Sequence, residues 1–351
     1  MKKTGNLISK RKDGLIHVGQ LDLLKDIVRK ATSFNPTRAQ SKMITAAEDI
    51  FQDPPDSEEL AFLARELVQC TLPHSDPGQA PFWARTNGNL TLSIASGFDP
   101  VHTRLVGYPF GSIPRLILFW LTTEALRTRS RHLELGDSYN EFLRDIGFDP
   151  DTGGGKRGDA ARVKEQARRL FSATISFIQS GELMPERSGE RRLNMSVAAA
   201  SELWWDPKRP DQVNLWDSWV ELGEKFYTAL TTAPVPVDLR ALRALKRSPL
   251  ALDLYAWVTH KSLSAARQGK PQFVPWQGLK AQFGADYKTT KNFRVKAVQA
   301  LKKIETVYPG LKLADAIGGL IILPTSRPAI AIKAKTIPPS LGQPSLLKTC
   351  L

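Results

Sequence analysis

The chain has 351 residues, of which 42% are hydrophobic and 24% charged, and its 49 Lys and Arg against 35 Asp and Glu give a formal net charge of +14. That length suffices for two or three domains with separate cores, and the charge favours a polyanionic partner, a nucleic acid or an anionic membrane. No stretch approaches the ~18 uninterrupted apolar residues of a spanning helix, no apolar secretory core follows the basic N-terminus, and Cys70 and Cys350 alone exclude a disulfide framework and a cysteine zinc site.

Residues 1–18 are basic and poor in large apolar groups, the composition of a disordered tail. Helical patterns follow near 20–32, 37–51 and 57–70, with breaks at Asn35-Pro36 and Asp53-Pro54-Pro55. Pro73, Pro77 and Gly78 mark a linker, and the alternation at 90–94 predicts a strand. After the turn Gly107-Tyr108-Pro109-Phe110-Gly111, Ser112 can cap a helix over 112–129, with Pro114 in its first turn. Leu116, Ile117, Leu118, Phe119, Trp120 and Leu121 make that helix apolar nearly all round, so it is expected as a buried spine. A short strand at 133–135 precedes a helix from Tyr139 to Ile146, capped by Asp137 or Ser138 and ended by Gly147. The glycine-rich turn at 153–155 opens a strongly basic helix over 156–171, and β segments at 174–178 and 193–197 then flank a polar, glycine-containing loop, a hairpin or wing.

Beyond a junction at Pro234, Pro236 and Asp238 the order repeats. Helices are expected near 238–246, 248–264 and 275–283, a second basic helix over 289–306, and short β segments at 311–314 and 319–323 around Gly318-Gly319. Residues 325–351, rich in proline and small residues, have the composition of an unstructured tail. Helix–turn–helix followed by a two-stranded wing, twice over, predicts an α+β, predominantly helical chain of two tandem winged-helix domains with a helical N-terminal extension. The expected boundaries are 1–78 for the basic tail and extension, 79–232 and 233–325 for the two domains, and 326–351 for the C-terminal tail.

Each basic helix is apolar on one side and cationic on the other, the form that enters a DNA major groove. In the first, Val163, Ala167, Leu170, Phe171 and Thr174 share a face at 100° per residue. Arg162, Arg168 and Arg169 lie opposite with Lys164 flanking, and Lys156 and Arg157 lead in. In the second, Phe293, Ala297, Leu301, Ile304 and Tyr308 line the inner face, while Lys288, Lys291, Asn292, Lys296, Gln299, Lys302 and Lys303 point outward and Arg294 falls at the boundary. Arginine forks to guanine, Asn or Gln pairs with the adenine edge, and lysine mostly contacts phosphate. Asn292 and Gln299, with Arg294, are therefore the candidate base readers. Two such helices one helical turn apart imply a site of roughly 17–22 base pairs.

No enzyme is expected. Gly153-Gly154-Gly155-Lys156 fails as a phosphate loop, because Arg157 stands where Ser or Thr is needed and Pro150 where the first glycine would fall. A nicking nucleophile would need a tyrosine beside a His-hydrophobe-His pair, yet Tyr139, Tyr227 and Tyr255 sit inside apolar helices. His17, His74, His102, His132 and His260 are scattered and read as isolated surface or core side chains, and no acidic cluster suggests a two-metal nuclease. Neither a metal nor another cofactor is called for.

The chain resembles the plasmid-encoded RepA family of theta-type replication initiators. The likeness is carried by Pro81-Phe82-Trp83-Ala84, the long run from Gly107-Tyr108-Pro109-Phe110-Gly111-Ser112-Ile113-Pro114-Arg115 to Trp120-Leu121-Thr122-Thr123-Glu124-Ala125, Leu135-Gly136-Asp137-Ser138, Thr152-Gly153-Gly154, Arg169-Leu170-Phe171, Trp204-Trp205-Asp206 and the stretch 215–226, across about residues 80–325. The resemblance implies binding to repeated sequences (iterons) in double-stranded origin DNA, help in opening an adjacent AT-rich segment, and recruitment of the host initiator and replicative helicase. It also implies monomer–dimer self-association, with dimers repressing the protein's own gene, and a cytoplasmic, plasmid-associated location. Separately, Gln20-Leu21-Asp22-Leu23-Leu24 matches the short peptide by which bacterial proteins bind the replicative sliding clamp, an anchor-in-groove contact, and it equally fits the start of an amphipathic helix with Ile27 and Val28. A winged-helix transcriptional repressor without a replication role is the alternative reading.

Overall fold

The computed structural model describes residues 37–80, 82–150, 158–184, 187–203, 218–284, 287–327 and 329–330. The expected N-terminal tail, the helix near 20–32 with Gln20 to Leu24, Lys156 and Arg157, Trp204-Trp205-Asp206 and the tail beyond 330 lie outside the described residues. The chain divides into two compact units, 1–45 and 46–351. Helix α1 (Arg38–Gln52) begins in the first of them. It opens on a reciprocal cap. Thr37 Oγ1 accepts the Gln40 N–H at 3.3 Å, and Gln40 Oε1 accepts the Thr37 N–H at 2.9 Å, which satisfies two end donors at once.

Within the second unit follow β1 (Leu60–Ala64), α2 (Arg65–Gln69), β2 (Trp83–Asn87), β3 (Leu90–Ala95), the ribbon β4 (Phe98–Asp99) and β5 (Arg104–Leu105), α3 (Ser112–Thr128), β6 (His132–Glu134) and α4 (Tyr139–Asp145). Next come α5 (Asp159–Phe171), β7 (Thr174–Met184), β8 (Arg187–Ser196), β9 (Ala198–Glu202), β10 (Trp219–Leu222), α6 (Glu224–Thr232) and β11 (Pro234–Asp238). The chain continues through α7 (Leu239–Leu245), α8 (Pro249–Gln268), β12 (Gln272–Pro275), α9 (Trp276–Phe283), α10 (Thr290–Val307), β13 (Leu313–Ala316) and β14 (Gly319–Ile322). The expected mixture of helix and sheet is present, with helix the larger part.

Two segments differ from expectation for one shared reason. The helix expected over 57–70 is instead strand β1 followed by the short α2, and the proline junction is strand β11. Leu60-Ala61-Phe62-Leu63-Ala64 is apolar throughout, so no period separates strand from helix. Its antiparallel partner β11 decides, with Leu60 opposite Asp238 and Ala64 opposite Pro234. Pro234 and Pro236 stand two apart, so both missing N–H groups fall on the same edge of the strand. The flanking bonds, Arg65 N–H to Ala233 O at 3.3 Å and Leu239 N–H to Glu59 O at 2.8 Å, place that edge away from β1.

Helix α3 is the expected spine. Leu116, Ile117, Leu118, Phe119 and Leu121 are buried and Trp120 half-buried. Gly111 rather than Ser112 occupies its N-cap, at φ +79° and with no side-chain bond. Ser138, one of the two expected caps, starts α4 by accepting the Glu141 N–H. Helix α8 is a second spine, capped by Ser248 with Pro249 in the first turn and buried from Leu250 to Thr259.

The two spines are stapled by a buried ion pair. Arg115 on α3 donates Nε to Asp253 Oδ1 at 2.7 Å and Nη2 to Oδ2 at 2.9 Å, while His74 Nε2 lies 2.8 Å from the same Oδ2. The remaining guanidinium protons reach the carbonyls of Leu72, Pro73 and Gly111. Burial alone would push the Asp253 carboxyl up, but the Arg115 charge and the His74 contact overcome it and hold it at about 2.

The two hairpins that follow the basic helices join different kinds of sheet. After α10, β13 and β14 return to β12, the strand just before α9, in the order β12-β14-β13. Strand, two helices and hairpin thus close on themselves. After α5, the hairpin β7–β8 is longer than the expected 174–178 and 193–197, and it extends β2–β3 into a sheet of order β2-β3-β7-β8. The strand before α4, β6, pairs elsewhere, in the sheet β6-β10-β9.

Candidate nucleic-acid interface

Helix α10 starts where Thr289 Oγ1 accepts the Asn292 N–H at 3.2 Å. Phe293, Ala297, Ala300, Leu301, Ile304, Val307 and the following Tyr308 are buried, as the periodicity predicts. Close packing against α9 depends on Gly284 in the intervening turn. A Cβ there would fall 2.8 Å from the Phe293 ring. The opposite face is open: Lys288, Lys291, Asn292, Arg294, Lys296, Gln299, Lys302 and Lys303 are all exposed. Among the described residues none of these cations forms an ion pair. The helix holds five cations and one carboxylate, Glu305, whose pKa burial raises. The Arg294 guanidinium rests over the Trp276 indole at the start of α9, 5.7 Å from its centroid.

Helix α5 has the expected buried face, with Val163, Ala167, Leu170 and Phe171 inside and Thr174 half-buried at the start of β7. Its cationic side departs from expectation. Arg162 is exposed but paired with Asp159 at 3.2 Å. Lys164 is half-buried, and that burial lowers its pKa. Arg168 reaches Asp99 Oδ2 at 3.0 Å. Arg169 is fastened on every side: Nε to Glu165 at 2.9 Å, Nη1 to Asp76 at 3.0 Å and to Tyr108 O at 3.3 Å, with the guanidinium over the Phe110 ring at 5.3 Å. Burial works against its charge, and the bonds to Glu165 and Asp76 outweigh it and raise the pKa.

The expected open arginine face is therefore corrected. Arg168 and Arg169 are structural ties, because carboxylates at Asp99 and Asp76 arrive from 69 and 93 residues away. Only Glu165, one helical turn before Arg169, was visible locally. The ties hold α5 to the turn at 107–111. Gln166 Oε1 accepts the Phe110 N–H at 2.9 Å, and a Cβ on Gly107 (φ +103°) would meet the Arg169 guanidinium at 2.9 Å.

The residues α10 brings together are thus two amides and a belt of cations on one rigid face, able to contact base edges and phosphates of a duplex. Tyr139 and Tyr255 are buried and Tyr227 half-buried, all within helices, while His74 is a core histidine bonded to Asp253. Among the described residues no group of three or more His, Cys, Asp or Glu is placed to hold a metal ion, and no helix is long and apolar enough to cross a membrane.

Residues 108–277 match the family model described as plasmid encoded RepA protein. No curated protein matches the chain. Among solved structures, the crystal structure of RctB domains 2-3 is similar with a TM-score of 0.44, and that of selenomethionine derivatives of domain 2 and domain 3 of RctB with 0.46, each at 11% identity over 73% of this chain and 94% of that chain. The family match begins inside the run at 107–125, whose residues pack around Arg169, and takes in both partners of the Arg115–Asp253 staple. The likeness to the plasmid-encoded RepA family is thus carried by residues 108–277, just under half of the chain.

Proposed function

We propose that the chain is a plasmid replication initiator that binds repeated origin DNA through two winged-helix modules, bends and opens the adjacent AT-rich segment, and recruits host replication proteins. The observation that carries this reading is the α10 face, cationic and unpaired among the described residues, in a chain whose residues 108–277 match the RepA family model. Strand β12, α9, α10 and the hairpin β13–β14 supply the better-formed module, a helix pair closed by a three-stranded wing sheet. Asn292, Gln299 and Arg294 read base edges there, and the lysines hold phosphate. In the first module Arg162 is the exposed cation of α5, so that module contacts the backbone and adds little discrimination. No cofactor takes part, and strand opening draws on binding and bending. Gln20 to Leu24, outside the described residues, supplies a sliding-clamp contact, which Leu23→Ala with Leu24→Ala would abolish in a pull-down with the clamp.

The test is fluorescence anisotropy of the full chain on its plasmid's origin repeats and on random duplex, at ~50 and ~200 mM salt. Lys296→Ala, Lys302→Ala and Lys303→Ala combined weaken binding to both by on the order of a hundredfold and flatten the salt dependence by about three units of slope. Unchanged affinity would remove α10 from the interface. Origin binding without dependence of the replicon on this gene would favour the repressor.

A further inference from the structure

We propose that Ile317, at the tip of the β13–β14 hairpin, is an apolar wedge that enters the minor groove beside α10 and unstacks one base step. The inference rests on α10 lying in the major groove and adds a deforming element to it.

Ile317 is fully exposed, at 103% of its reference surface. Ala316 and Gly319 are paired, so the loop is two residues, Ile317 and Gly318. Gly318 takes the positive φ the turn requires, +78°. Ile317 itself lies outside the positive-φ region, a position that admits most side chains, and nothing in the described fold uses this one. Beside it Phe273 is 54% exposed. Its ring lies over Gly319, within 2.6 Å of where a Cβ would be, and shores the tip from one side.

The tip is also fixed in place. The Trp276 N–H donates to Gly318 O at 2.9 Å, and a Cβ on Gly319 would fall 2.3 Å from Val274 O. Trp276 is the same residue that carries the Arg294 guanidinium on its indole. One residue therefore joins the hairpin tip to the cationic face of α10. With Lys288, Lys291 and Lys296 on that face, charge complementarity makes a polyphosphate the occupant. A helix seated in the major groove carries its flanking hairpin across one phosphate strand to the adjacent minor groove. Branched aliphatic side chains there insert between base pairs and kink the duplex. Pyrimidine–purine steps yield most readily, so the wedge would favour a TA or CA step at a position α10 does not touch.

The experiment uses the full chain and the duplex it enriches from a random 30-base-pair library, remade with 2-aminopurine at successive positions. The wild type raises the fluorescence at one step outside the α10 footprint by about threefold or more, as for an unstacked base. Ile317→Asn, polar and compatible with this turn position, abolishes the rise while weakening binding by less than about tenfold, and Ile317→Leu retains both. Binding with no rise, or a rise that survives Ile317→Asn, overturns the wedge and leaves the α10 reading intact. Enrichment of no duplex overturns both. Loss of a protein contact in the Asn variant, with an unchanged fluorescence profile, assigns the tip to a protein instead and overturns the wedge.

Discussion

Helices α5 and α10 have the same sequence pattern and opposite electrostatic fates. Each has a buried apolar stripe and a row of Lys and Arg on the other side. In α5 four cations share the helix with two carboxylates, and three of the arginines form ion pairs. In α10 five cations meet one carboxylate and stand in solvent. Cationic periodicity alone therefore does not make an open cationic surface. What separates the two is whether the fold delivers counter-charges to the helix. Asp76 and Asp99 reach α5, and no described acid forms an ion pair with the cations of α10.

The contrast presupposes that both halves share a frame, and the largest expected effect comes from removing it. Asp253→Ala leaves Arg115 buried without its counter-charge and costs about 3–5 kcal/mol of stability, read from denaturant unfolding. A loss under ~1 kcal/mol would mean that the staple holds nothing together. Next, Gln299→Ala reduces discrimination at one base pair by about 1–3 kcal/mol, whereas Lys302→Ala lowers the salt slope by about one for every sequence alike. Identical profiles for the two variants would erase the division between base reader and phosphate contact. Arg169→Ala sharpens the comparison from the other side. It costs about 1–2 kcal/mol of stability but shifts duplex affinity less than about twofold. A tenfold affinity loss at unchanged unfolding midpoint would restore α5 to the DNA.

The smallest effect is the response to acid. Burial, reinforced by Lys261, Arg65 and Arg267, lowers His260 from 6.5 to about 4. Burial lowers His74 as well. The folded state thus prefers these rings neutral. Stability is complete above pH 6.5 and falls as the pH drops toward 4, by about 1 kcal/mol for His260 after screening. His260→Gln flattens that stretch of the stability curve, and an unaltered slope would contradict it. The Asp253 contribution is lost only further down, as the pH falls from 3.8 through about 2.

Legibility followed locality. The unit around α10 was legible from local pattern, because Phe293, Ala297, Leu301 and Ile304 follow the helical period and the Gly318-Gly319 turn joins strands adjacent in sequence. The surroundings of α5 could not. Its hairpin pairs with β3, some eighty residues upstream, and the acids that bind its arginines come from the linker and the β4–β5 ribbon. Strand β1 was misread as helix because an apolar pentapeptide takes its geometry from β11. The exposure of Ile317 was invisible too, since a hydrophobic residue between two short β segments looks like core until the pairing register sets it at the tip.

The Arg115–Asp253 staple also constrains the order of assembly during synthesis. Leu72, Pro73, His74 and Arg115 leave the ribosome first, and Asp253 follows Arg115 by 138 positions. At typical elongation rates that interval is roughly seven to thirty seconds. Throughout it the nascent amino-terminal half holds a guanidinium destined for the interior with no carboxylate to meet it. Closure of the staple therefore waits until its late-arriving counterpart is translated.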